Sequence, residues 1–163
     1  MKHLKRLLKT QLSPVPTSLA VTVLVIAVLG FADASYLTIE HFKGTIPPCS
    51  IVSGCETVLT SSYSAIFGIP VSLLGAIYYL IIAIGTFAYL DTKKTVVLKW
   101  ALALTVFGLI MSLWFIFLQA FIVDAWCLYC LGSAATSIAL FVMANVIFKK
   151  YMITEEEILS PKF

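Results

Sequence analysis

Apolar residues run along this chain in four long blocks, each close to the ~20 residues that a helix needs to cross a bilayer. They fall at Thr17–Ile39, Ile69–Leu90, Leu98–Val123 and Cys127–Phe148, with polar residues, glycines and prolines gathered between them. The pattern predicts an all-α integral membrane protein, a bundle of four transmembrane helices over residues 17–148, with one long connection at 43–68. That connection opens with Gly44 and Pro47-Pro48, which disfavour helix ahead of Cys49, and Gly54 permits a tight turn beside Cys55. Glu56 to Tyr63 predicts a short helix, its Val58 and Leu59 dipping toward the bilayer. Phe67-Gly68-Ile69-Pro70 then predicts the start of the second span, with Pro70 tolerated in the first helical turn.

Charge orients the bundle. Of eleven basic residues, Lys2, Lys5, Arg6 and Lys9 precede the first block; Lys93, Lys94 and Lys99 flank the second connection; Lys149, Lys150 and Lys162 follow the fourth. Only Lys43 falls on the other side, so the positive-inside bias predicts cytoplasmic termini and an external 43–68 loop. Residues 1–16 read as a basic cytoplasmic anchor and 149–163 as a cytoplasmic tail carrying Glu155, Glu156 and Glu157. A secretory signal with a cleavage site at Ala32-Asp33-Ala34 is the rival reading of the start. The apolar run continues through Tyr36, Leu37 and Ile39, too long for such a signal, which favours a retained helix. At 61% hydrophobic and 12% charged, the chain fits a lipid-embedded protein, and no nucleic-acid partner is expected.

Four cysteines bring in chemistry. Cys49 and Cys55 lie in the external loop as C-S-I-V-S-G-C, and Cys127 and Cys130 form W-C-L-Y-C at the entrance to the fourth span. The charge bias puts both pairs on the outer face, where disulfides persist. Cys127 near a helix N-terminus is placed to be a thiolate, and Cys130, one turn deeper on the same face, is placed to meet an apolar electron acceptor such as a quinone. Cys49 and Cys55 are then expected to take electrons from an external dithiol and pass them inward through mixed disulfides. Two rival readings use the same residues: two disulfides that only staple a membrane module, and a four-thiolate zinc site. The five residues between Cys49 and Cys55, with His41 the one histidine nearby, argue against zinc, and no metal is expected. Four cysteines allow three pairings, and a relay visits more than one.

Other residues are candidates by position. Aromatic residues cluster near the cysteines' depth (Tyr36, Tyr63, Phe67, Phe121, Trp126, Tyr129), which suits either a quinone pocket or an interfacial belt. Asp33 is an acid inside an apolar span, suited to proton transfer or to pairing with neighbouring hydroxyls. Gly30/Ala34 and Gly68/Ser72 are small residues spaced for close helix packing, and Asp124 is a candidate cap for the fourth span.

These motifs together resemble the vitamin K epoxide reductase family. The matching pieces are Cys49, Cys55, Ser61, Phe67-Gly68-Ile69-Pro70-Val71-Ser72-Leu73-Leu74-Gly75, Trp126-Cys127-Leu128-Tyr129-Cys130, and Asp33-Ala34-Ser35-Tyr36-Leu37-Thr38 in the first span. The resemblance implies a four-helix bundle around a quinone (ubiquinone, menaquinone or a relative), with Cys49/Cys55 as shuttle cysteines. It further implies that Cys127 forms the mixed disulfide, that Cys130 reacts with the quinone, and that Ser61, or Ser62 beside it, is the active-site serine. Cys130, Phe67, Trp126, Tyr129 and Asp33 are the expected quinone-binding residues. Animal members carry an asparagine and a tyrosine where this chain has Ser64 and Ala134. That difference favours the microbial role, oxidation of a thioredoxin-like partner with a quinone as acceptor, over reduction of vitamin K epoxide. Relatives that fuse the thioredoxin-like domain extend well beyond the position of Lys150, so here a separate partner protein is expected. The reversed order of the two cysteine pairs argues against the DsbB type.

Overall fold

A computed structural model describes residues 15–49 and 54–152. Among these, the long helices are α1 (Thr17–Lys43), α3 (Val71–Thr92), α4 (Thr95–Phe121) and α5 (Leu128–Ile147), the last continued by a π-helical turn at Phe148–Met152. A short helix α2 (Cys55–Leu59) and a two-stranded hairpin of β1 (Ala65–Ile66) and β2 (Ile69–Pro70) fill the long connection. All four long helices are long and apolar enough to span a membrane, and the protein is a multi-pass membrane bundle. The expectations for residues 1–14, for 50–53 and for the acidic tail from 153 onward lie outside the described residues.

Capping moves the span boundaries. α1 runs past Ile39 to Lys43 and stops where Gly44 turns left-handed, at φ 68°, so that its N–H reaches back to the carbonyls of Glu40 and His41. Ala32-Asp33-Ala34 therefore falls inside an unbroken helix. The second span begins at Val71, because Ile69 and Pro70 are occupied as a strand paired antiparallel with Ala65–Ile66. Pro70 is the cap of α3 (φ −62°, ψ 135°) rather than a member of its first turn. Phe67 and Gly68 form the hairpin turn with φ of 52° and 79°, the doubly positive geometry of a type I′ two-residue hairpin loop. Gly68/Ser72 is consequently no helix-packing pair. Asp124 does not cap α5 either: it sits exposed at φ 48° in the preceding turn, and Cys127 takes the cap position.

The long helices close a ring in which α1 and α4 each pack against both α3 and α5. In lipid no hydrophobic force drives helices together, so small residues that admit close approach matter most. Gly30 leaves room for the Tyr79 ring, and Gly75 lies against Ala34. The end away from the cysteine loop is solidly filled by Val23, Ile82, Leu98, Leu102, Leu140 and Ile147. Val15 is tied into that end, where its carbonyl accepts the Tyr89 hydroxyl at 3.0 Å. At the loop end the packing of the helices leaves a cavity.

Candidate active site

That cavity has a volume of about 530 Å³ and is bounded by all four long helices, α2 and the loop. Its walls are mostly apolar: Leu37, Leu74, Phe107, Met111, Phe115 and Leu118 contribute broad hydrophobic surface. Polar groups are few and spaced apart, among them Ser61, Tyr78, Tyr79, Gln119, Cys130 and Ser137. A slot of this volume with sparse polar groups suits a flat apolar molecule oriented by one or two hydrogen bonds.

The two cysteine pairs stand in different states. Cys49 and Cys55 are joined by a disulfide, with Cα atoms 6.2 Å apart, whereas Cys127 and Cys130 are free thiols. Cys55 and Cys127 are both fully buried. Their chain neighbours touch: the Gly54 backbone lies so close to the Trp126 backbone that a Cβ on Gly54 would stand 2.6 Å from the Trp126 nitrogen. The disulfide loop is thereby docked directly beside Cys127.

Cys127 caps α5, its sulfur accepting the Cys130 N–H at 3.2 Å. Its thiol is held below its ordinary value, chiefly by the hydrogen bond from the Cys130 thiol, helped by the backbone N–H groups of Cys130 and Tyr129; burial and the nearby Asp33 charge oppose this. A helix N-terminus with open N–H groups is a natural place for a thiolate. Cys130 lines the cavity, so the C-x-x-C pair adjoins the docked loop at Cys127 and the cavity at Cys130.

The remaining expected site residues divide. Ser61 lines the cavity, and its hydroxyl donates to the Val58 carbonyl at 2.7 Å, closing α2. Phe67, Trp126, Tyr129 and Asp33 are not part of the cavity wall. Phe67 stands fully exposed at the hairpin tip, because the turn points its side chain outward. Trp126 contributes backbone against Gly54 while its indole is exposed. Tyr129 is a loop tether: its hydroxyl donates to the Pro48 carbonyl at 3.2 Å and its ring leans on Tyr36 at 5.7 Å. Asp33 lies within electrostatic reach of Cys127, and its buried Oδ2 has no hydrogen-bond partner. Among the described residues no group of three metal-ligating side chains converges.

Three cavity residues escaped the sequence reading. Gln119 is buried in the last turn of α4, where its Oε1 accepts the Cys127 N–H at 2.9 Å. Tyr79 donates its hydroxyl to the Ser133 carbonyl at 2.6 Å and lies 2.8 Å from the Thr136 hydroxyl, and Tyr78 meets the Ser137 hydroxyl at 3.3 Å. A signal was present for each: a glutamine interrupts an apolar span, and two tyrosines lie too deep for an interfacial belt.

No curated protein matches this sequence. The model of the vitamin K epoxide reductase family does match, over residues 21–145, a stretch that holds all four cysteines, the hairpin and the cavity. With that match covering well over half of 163 residues, the chain belongs to the vitamin K epoxide reductase family and is a membrane oxidoreductase.

Proposed function

We propose that this protein is a quinone-dependent thiol–disulfide oxidoreductase that supports disulfide formation in an extracytoplasmic, thioredoxin-like partner. The observation that carries the reading is the two-sided placement of one dithiol: Cys127 adjoins the docked disulfide loop while Cys130 reaches the apolar cavity. The partner's dithiol attacks the Cys49–Cys55 disulfide and leaves oxidised, so the loop pair becomes two thiols. One of these attacks a Cys127–Cys130 disulfide, forms a mixed disulfide with Cys127 and displaces Cys130; the second loop thiol then resolves the bond and restores the loop disulfide. The Cys127–Cys130 dithiol finally gives two electrons and two protons to the quinone, yielding quinol and a Cys127–Cys130 disulfide. A buried carboxylate with an unpartnered oxygen near Cys127 suits Asp33 to hold one of those protons in passage. The position of Ser61 on the cavity wall beside the loop supports its reading as an active-site residue. Basic residues concentrated at the opposite end support a cytoplasmic position for that end and an outward-facing active site.

The test is a stoichiometry. Protein reduced in detergent is given menadione without oxygen, and alkylatable thiols and quinol are counted together. The expected result is one quinol per disulfide formed, abolished by Cys130→Ala. Four thiols left untouched and no quinol would return the cysteines to a structural role.

A further inference from the structure

Among the described residues, Gln119 is the one amide side chain on the cavity wall, and it is 3% exposed within an otherwise apolar stretch of α4. A side-chain amide offers an acceptor oxygen and two N–H donors. The oxygen is committed, since it accepts the Cys127 N–H at 2.9 Å. That bond also fixes which way the amide faces, because the backbone N–H of Cys127 cannot accept. The nitrogen makes one long bond, 3.4 Å, to the Phe115 carbonyl of its own helix. Its second N–H has no partner among the described residues, and leaving a buried donor unmade is costly. The other polar side chains of the cavity that make hydrogen bonds are largely spent on the protein: Tyr79 donates to Ser133, Tyr78 pairs with Ser137, and Ser61 donates to Val58.

We infer that Gln119 is the hydrogen-bond donor to one carbonyl of the quinone, and that the same amide ties the quinone to the backbone of Cys127. This rests on the reading of the cavity as a quinone site. The acceptor would be oriented by a group already anchored to the reacting dithiol, so ring and sulfurs keep a common reference. Gln119 is therefore a ligand-contacting and positioning residue. It would select for flat molecules with a carbonyl acceptor, such as quinones, over plain hydrocarbons of equal size.

The chain holds only two glutamines, Gln11 and Gln119, so selective labelling of glutamine side chains with nitrogen-15 gives two amide pairs in a magnetic-resonance spectrum. Menadione is titrated into a Cys127→Ser, Cys130→Ala protein with its Cys49–Cys55 disulfide intact, which has no thiol left to reduce it or add to it, and bound menadione is measured by equilibrium dialysis. The expected result is a downfield shift of one proton of a single amide pair, the pair that Gln119→Met removes. In the active protein Gln119→Met should raise the KM for menadione about two- to tenfold, the loss expected for one hydrogen bond. Menadione that binds while both amide pairs stay in place overturns the inference and leaves the quinone reading standing. Menadione that does not bind at all overturns both.

Discussion

Replacing Gly54 by alanine should uncouple the two cysteine pairs without touching either. Gly54 sits at φ −110° and ψ 0°, a conformation open to alanine, so the effect is steric. The added methyl carbon would lie 2.6 Å from the Trp126 nitrogen, 2.7 Å from its carbonyl oxygen and 3.2 Å from the Ala125 Cβ. Comfortable contact begins near ~3.5 Å, so the loop must withdraw by close to ~1 Å, against backbone that cannot rotate aside. A misplacement of that size costs up to about a hundredfold in a reaction that requires two groups in line, here the sulfurs of the loop and of Cys127. Overpacking also carries about 1–3 kcal/mol of stability. Two rates separate the effects. Transfer from the reduced loop to an oxidised Cys127–Cys130 pair, followed by acid quench and alkylation, should fall between tenfold and a hundredfold. Reduction of menadione by a prereduced Cys127–Cys130 pair should stay within about twofold of the parent protein, because the cavity wall is unaltered. An unchanged transfer rate would show that the Gly54–Trp126 contact does not set sulfur approach. Equal losses in both rates would mean that the substitution merely loosens the fold.

The lowered value of Cys127 predicts that its alkylation rate persists as pH falls through the ordinary thiol range, near ~8.5, and is lost only below it. Cys130→Ala removes the largest cause, so the midpoint should move up; a midpoint that stays in place would show that the helix N-terminus alone activates the sulfur. Tyr79→Phe removes hydrogen bonds to Ser133 and Thr136 and should cost about 1–2 kcal/mol, read as a lower unfolding midpoint in detergent. Unaltered stability would mean that water replaces those bonds. Tyr129→Phe releases Pro48, so a phosphine reductant should open the Cys49–Cys55 disulfide about two- to tenfold faster. An equal reduction rate would show that the loop is held by Gly54 and not by this tether.

Span number and cysteine placement were legible in the sequence because both are one-dimensional signals: helix formation is local, and hydropathy is summed along the chain. Boundaries were less so. The end of α1 depends on Gly44 turning left-handed, and the start of α3 depends on a hairpin whose turn puts Phe67 at φ 52°, a conformation that phenylalanine does not advertise. The cavity was the least legible. Helices apolar on every side carry no stripe to say which face meets a neighbour, so the contributions of Phe107, Met111 and Phe115 emerge only from packing. The aromatic residues chosen by depth, Phe67, Trp126 and Tyr129, are not among the residues that line the cavity. Depth follows from counting residues, whereas azimuth follows from the bundle.

On the proposed function, the geometry also gives a reason why one pair of cysteines would not suffice. A sulfur that reaches the quinone must stand in the cavity wall among apolar side chains, where a folded protein partner cannot follow. A sulfur that meets the partner must ride on the loop, and disulfide exchange proceeds only through sulfur–sulfur contact. Cys127 resolves this conflict because it is at once the cap of α5 and the neighbour of the docked loop. Its backbone N–H is held by Gln119 and its sulfur accepts the Cys130 N–H, so the loop would meet a fixed cysteine whose partner Cys130 lines the cavity. The element that moves in such a relay would then be the loop pair, held among the described residues by the Tyr129 bond to Pro48 and the Gly54–Trp126 contact, interactions weak enough to release once the disulfide has been delivered.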